Sequence, residues 1–143
     1  MMLRYMAHIN LIMDSKLIII FSFIFLMKTS IFADEENNRD LAIHHFMQGE
    51  FLLSQGSYAL AVLEFQDALS IDPNASTIHI SIADAYRRLG RSKQAETHLK
   101  IAIELDPVDI NGKELLGQLY LLNRKFLLAE EQFLDLIEID KNN

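Results

Sequence analysis

The chain has 143 residues, a formal net charge of −7 and no cysteine. Length allows one domain of ordinary size. The missing cysteine excludes disulfides, thiolate metal sites, a nucleophilic thiol and a lipoprotein-type lipid acceptor. Without the residues before Asp34 the chain keeps 10 basic and 19 acidic residues, a charge of −9. That body repels nucleic acid and anionic lipid. Its one basic group, Arg87, Arg88, Arg91 and Lys93, reads as a solvated helix surface.

The N-terminal segment reads as an address. From Leu17 to Met27 the run LIIIFSFIFLM is broken only by Ser22 and bounded by Lys16 and Lys28. A spanning helix needs about 20 apolar residues and a secretory core only about 7 to 15. The run therefore predicts a signal peptide over 1–33, with cleavage between Ala33 and Asp34; uncleaved, it is a signal anchor and the chain's one link to a membrane. Basic residues before the run and Asp34, Glu35 and Glu36 after it place the remainder away from the cytoplasm, periplasmic or secreted if cleaved. A start at Met13 gives a more compact signal. Residues 34–41 form a short acidic lead.

Everything after the lead repeats at one offset. Pro73 and Pro107 lie 34 residues apart, and the same step joins Gly49, Ala83 and Gly117; Leu52, Tyr86 and Tyr120; Ala61, Ala95 and Ala129; and Phe65, Leu99 and Phe133. A step of this length with these residues resembles the tetratricopeptide repeat, and the resemblance implies units of 42–75, 76–109 and 110–143, each of two antiparallel helices. The resemblance also implies that the small residues at 49, 83 and 117 sit where one helix crosses the other. Gly56 and Gly90 end the first helix of their units in a left-handed conformation, and Asp-Pro at 72–73 and 106–107 stops the second. In the third unit Asn123 is expected to take the left-handed turn, and Lys141 stands where proline would.

These residues resemble the tetratricopeptide repeat family, the middle copy SIADAYRRLGRSKQAETHLKIAIELDP most closely. The resemblance implies an all-α, right-handed superhelical solenoid of antiparallel helix pairs. It also implies a concave face, lined by the first helix of each pair, that takes a peptide or helix of another protein. Carried onto this chain, the inward positions are Ile43, Phe46, Glu50 and Leu53; Thr77, Ile80, Asp84 and Arg87; and Asn111, Glu114, Gln118 and Leu121. Aliphatic side chains beside carboxylates suit a segment with an apolar anchor and basic residues. Where the family's clamp for a chaperone C-terminus carries lysine, arginine and asparagine, this chain has Phe46, Glu50, Ser81, Asn111 and Leu115, so that clamp is absent. The family's solvating final helix does not follow the third unit, so Leu127, Leu134 and Ile137 are expected to form an apolar docking strip, open to self-association or a structural partner, unless the chain is a truncated copy of a longer array.

Chemistry is not expected. The histidines fall at 8, 44, 45, 79 and 98, and equivalent ones such as His45 and His79 are at least one helix spacing, roughly 8 to 10 Å, apart. That is too wide for shared zinc ligation, so no metal or cofactor is expected. No phosphate loop, His-Glu-x-x-His or nucleophile elbow occurs, and the serines read as helix caps. The sequence thus points to a non-catalytic interaction module, scaffold or assembly factor on the exported side of a membrane. A structural subunit docked through its final helix, or a secretion-type chaperone, is the alternative.

Overall fold

The computed structural model describes the backbone of residues 2–142 and the side chains of 20–28, 35–139 and 141. Among these residues the fold is all α: α1 Met2–Ser54, α2 Tyr58–Ile71, α3 Ser76–Arg88, α4 Ser92–Leu105, α5 Ile110–Leu122 and α6 Phe126–Asn142. The chain divides into two compact units, Met1–Asn38 and Arg39–Asn143. The first holds only the N-terminal stretch of α1, whose residues from Ile20 to Met27 are exposed. Among the described residues no helix is long and apolar enough to cross a membrane. Ala33 and Asp34 lie outside the described side chains.

In the second unit the C-terminal part of α1 pairs with α2, α3 with α4 and α5 with α6, while α2 packs on α3 and α4 on α5. Each pair closes where glycine or alanine removes a side chain. A Cβ on Gly49 would stand 2.5 Å from Cε1 of Phe65, and one on Gly117 would stand 2.8 Å from Cζ of Phe133; Ala83 is wholly buried. Phe65, Ile82, Leu99 and Leu119 are the largest fully buried side chains, and Tyr86 and Tyr120 are buried with them. One core runs through all three pairs, which is how stacked repeats gain a stability that no single pair supplies.

The helix ends follow from local chemistry. Gly56 and Gly90 turn the chain at φ +78 and +72. In the third pair the left-handed residue is Arg124, at φ +59, not Asn123, which stays at φ −88. Arg124 is the 34-residue equivalent of Gly90, so the repeat geometry fixes which residue bends and overrides asparagine's greater tolerance of that conformation. Before the prolines, Asp72 and Asp106 leave the helical conformation, at φ −122 and −137, and end α2 and α4. With Lys141 at the corresponding place, α6 runs on to Asn142.

Capping differs from the sequence expectation. Ser57, preceding α2, makes no side-chain cap; Ser54 and Ser70 bond back to the carbonyls of Phe51 and Asp67. Asp109 does the capping, accepting from the backbone N–H of Asn111 and Gly112.

Candidate functional site

Successive first helices stand side by side, so residues 34 apart form ladders across their shared face. One ladder is Glu50, Asp84 and Gln118, a second is Phe46, Ile80 and Glu114, and a third is Leu53, Arg87 and Leu121. Between the helices lies a depression of about 380 Å³ lined by Glu50, Leu53, Ile80, Ser81, Asp84, Asn111, Glu114, Leu115 and Gln118. Glu50, Leu53, Ile80, Asp84, Asn111, Glu114 and Gln118 of the sequence-derived set therefore share one wall system. Ser81 and Leu115 join them from positions read above only as the seats of a missing clamp.

The rest of the set lies elsewhere. Phe46 is half-buried and packs on Phe65, ring centroids 5.9 Å apart, so it supports the core beneath the face. Ile43, Thr77 and Leu121 are exposed on the same helices but outside the depression. Arg87 also lies outside it, its guanidinium turned onto Asp84.

The polar groups of the depression are already wired to one another. Ser81 donates to Glu50 at 2.5 Å across α1 and α3. Asp84 receives Arg87 Nε at 3.0 Å and Arg88 Nε at 2.7 Å. Gln118 donates to Glu114 at 3.1 Å. Bonding to Asp84, then to Tyr58, raises the pKa of the Arg88 guanidinium, which also lies over the Tyr58 ring at 5.6 Å. Among the described residues Asp84 has charged partners, while the partners of Glu50 and Glu114 are the neutral Ser81 and Gln118, which leaves these two carboxylates available to a basic ligand.

Polar pairs also bridge the two helices of each unit from equivalent places on the first helix, residues 45, 79 and 113, to position 64 or 98 in the first two units and to Asp135, the counterpart of Asp67, in the third. His45 Nδ1 meets Glu64 Oε2 at 2.8 Å, His79 Nδ1 meets His98 Nδ1 at 3.0 Å, and Lys113 Nζ meets Asp135 at 3.5 Å. His79 is buried, and its Nε2–H donates to the Pro73 carbonyl at 3.4 Å, so its Nδ1 accepts the proton offered by His98. Burial, then the nearness of His79, pushes the pKa of His98 down. On the opposite side Glu96 accepts from Lys125 and Lys100, each at 2.9 Å, and from the Tyr120 hydroxyl at 3.2 Å. Its pKa falls to about 2, through Lys125 first and then Lys100, against the opposing effect of burial. Leu127, Leu134 and Ile137 are all exposed, Leu127 to 82%.

Stacked helix pairs, a shared ladder face and glycine-closed crossings describe one kind of repeat. Residues 52–119 match the tetratricopeptide repeat. The chain is similar to tetratricopeptide proteins in structure also. It superposes on the second TPR of Spaghetti (RPAP3), bound to HSP90 peptide SRMEEVD, with TM-score 0.69 at 20% identity, covering 75% of this chain and 98% of that one. MamA 41-end from Desulfovibrio magneticus RS-1 matches with TM-score 0.69 at 20% identity, over 71% of this chain and 57% of that one. The Sgt2 TPR domain from Aspergillus fumigatus matches with TM-score 0.67 at 23% identity, over 71% and 67%. At these identities the likeness is one of fold, that of a tetratricopeptide-like helical solenoid. Among curated proteins, 91 residues are 34% identical to Protein O-mannosyl-transferase F38B6.6 of Caenorhabditis elegans, covering 64% of this chain. The chain spans 13% of that relative's length.

Proposed function

We propose that the chain is a non-catalytic protein-interaction module, a scaffold or assembly factor, that holds a segment of another protein across the first helices of its three repeats. The observation that carries this reading is the depression in which seven sequence-derived groove residues from α1, α3 and α5 meet. A tetratricopeptide fold suits such a role, and the Spaghetti domain is bound to a peptide. That peptide, SRMEEVD, has more acidic residues than basic ones. This groove carries Glu50, Asp84 and Glu114, with Leu53, Ile80 and Leu115 between them. Its occupant is a segment with an aliphatic or aromatic anchor flanked by lysine or arginine, chosen by charge and anchored by burial. The apolar run from Leu17 to Met27, with Asp34, Glu35 and Glu36 after it, supports a place on the exported side of a membrane. The mass of the mature N-terminus in native cells tests cleavage after Ala33.

The groove is tested with synthetic peptides of one apolar core and varied flanking charge, measured by fluorescence anisotropy. Lysine-flanked peptides bind the natural chain and are weakened at least tenfold by Ile80→Asp and by Glu114→Lys. Equal binding of lysine- and glutamate-flanked peptides contradicts the reading.

A second reading, a structural subunit docked through α6, has its own support in the exposure of Leu127, Leu134 and Ile137. It predicts that Leu127→Asp abolishes partner capture and Ile80→Asp leaves it intact.

A further inference from the structure

The first repeat gathers three metal-donor side chains that the groove does not use. His45 of α1 and Glu64 and Asp67 of α2 present ligand atoms that all lie within 4.8 Å of one another, His45 Nδ1 and Glu64 Oε2 being 2.8 Å apart. We propose that these residues bind a divalent transition-metal ion of the zinc class, which ties α1 to α2.

The repeat itself supplies the comparison. Positions 45, 64 and 67 correspond to 79, 98 and 101 in the second repeat and to 113, 132 and 135 in the third. In the third repeat the Lys113 side chain, mostly covered along its length, sets its ammonium 3.5 Å from the exposed Asp135. There the fold places its own cation beside the carboxylate on the facing helix. In the second repeat Ile101 replaces the aspartate, and two imidazoles face each other without a carboxylate. Among the described residues only the first repeat sets two carboxylates against an imidazole, a donor set of charge −2 when His45 is neutral. A dication balances that charge, and histidine with carboxylates is a ligand set zinc accepts.

The geometry needs only side-chain movement. Zinc bonds of about 2.0 to 2.2 Å in a tetrahedral site set ligand atoms roughly 3.4 Å apart. The short His45–Glu64 approach must open slightly and the widest separation must close, and Asp67, exposed at the surface of α2, is free to rotate inward. Three protein ligands leave a fourth position for water. Ligation through Nδ1 takes the neutral imidazole in the tautomer that carries its proton on Nε2, so the proton Nδ1 directs at Glu64 is exchanged through solvent to Nε2 and the donor set keeps its charge of −2.

Zinc chloride titrated into the full chain, followed by calorimetry and thermal unfolding, tests the site, with cobalt(II) absorption reporting coordination number. Expected are one zinc per chain at micromolar concentration, a rise in Tm, and the visible bands of four-coordinate cobalt. His45→Ala and Asp67→Asn each weaken binding at least tenfold, while His98→Ala and the neighbouring His44→Ala leave it unchanged. Asp67→Asn alters an exposed side chain, so its effect stands even if His45→Ala folds poorly. Absence of zinc binding, or binding that survives Asp67→Asn or is lost in His44→Ala, overturns the proposal.

Discussion

Single positions set the distances in this molecule. At Gly49 a methyl group would enter the Phe65 ring, which is fully buried and cannot swing away; at Gly117 the facing ring is Phe133, which is partly exposed and can. Alanine gains up to about 1 kcal/mol over glycine inside a helix, and overpacking costs about 1 to 3 kcal/mol. Gly49→Ala is therefore expected to lose about 1 to 2 kcal/mol and Gly117→Ala to stay near neutral, measured by urea unfolding. Arg124 carries the opposite opportunity. It holds a left-handed conformation that costs a residue with a Cβ about 1 kcal/mol. Arg124→Gly should raise stability by roughly 0.5 to 1 kcal/mol in the same assay. The small residues at 49, 83 and 117 were legible because the repeat family that the 34-residue step resembles keeps small side chains at its helix crossing. The bend at Arg124 was not, since residue preference pointed to Asn123 and only the register of the repeat decides between them.

At the scale of helices, pairing was legible and the contacts between pairs were not. The 34-residue step gives each helix its partner, but it does not show that Glu96 of α4 gathers Lys125, Lys100 and Tyr120. Lys100 lies four residues on within α4, and the Tyr120 and Lys125 contacts join α4 to the end of α5 and the turn after it. Because the carboxyl of Glu96 is depressed from its ordinary 4.5 to about 2, the folded state gains stability above about pH 4.5 and loses it as pH falls toward 2. Solvent reaches the site, so the contribution is about 1 kcal/mol. Glu96→Gln should cost that much near neutral pH, with the difference from the natural chain vanishing toward about pH 2. The histidine pairs illustrate the same limit. Comparing His45 with His79 across repeats looked in the wrong direction for their partners, since each has its partner 19 residues on, across its own helix pair.

For the whole molecule, fold and function stand on different footing. Periodicity carries the framework, because packing between repeats demands similar side chains at each step. The groove is written in the residues that vary along the ladders, Glu50, Asp84 and Gln118 or Phe46, Ile80 and Glu114, and variation has no period to find it by. Its members came from the family's geometry. Phe46 shows the weakness of that route: a position facing inward in the general pattern here turns partly onto Phe65.

The central claim is that this face, and not the exposed strip of α6, takes the partner. A photo-crosslinking amino acid placed at Ile80 in one version of the chain and at Leu127 in another, activated in native cells, tests it directly. The account predicts a covalent product from Ile80 alone, mapping to a partner segment rich in lysine or arginine around an apolar anchor. A product from Leu127 with none from Ile80 contradicts it and assigns the partner to α6.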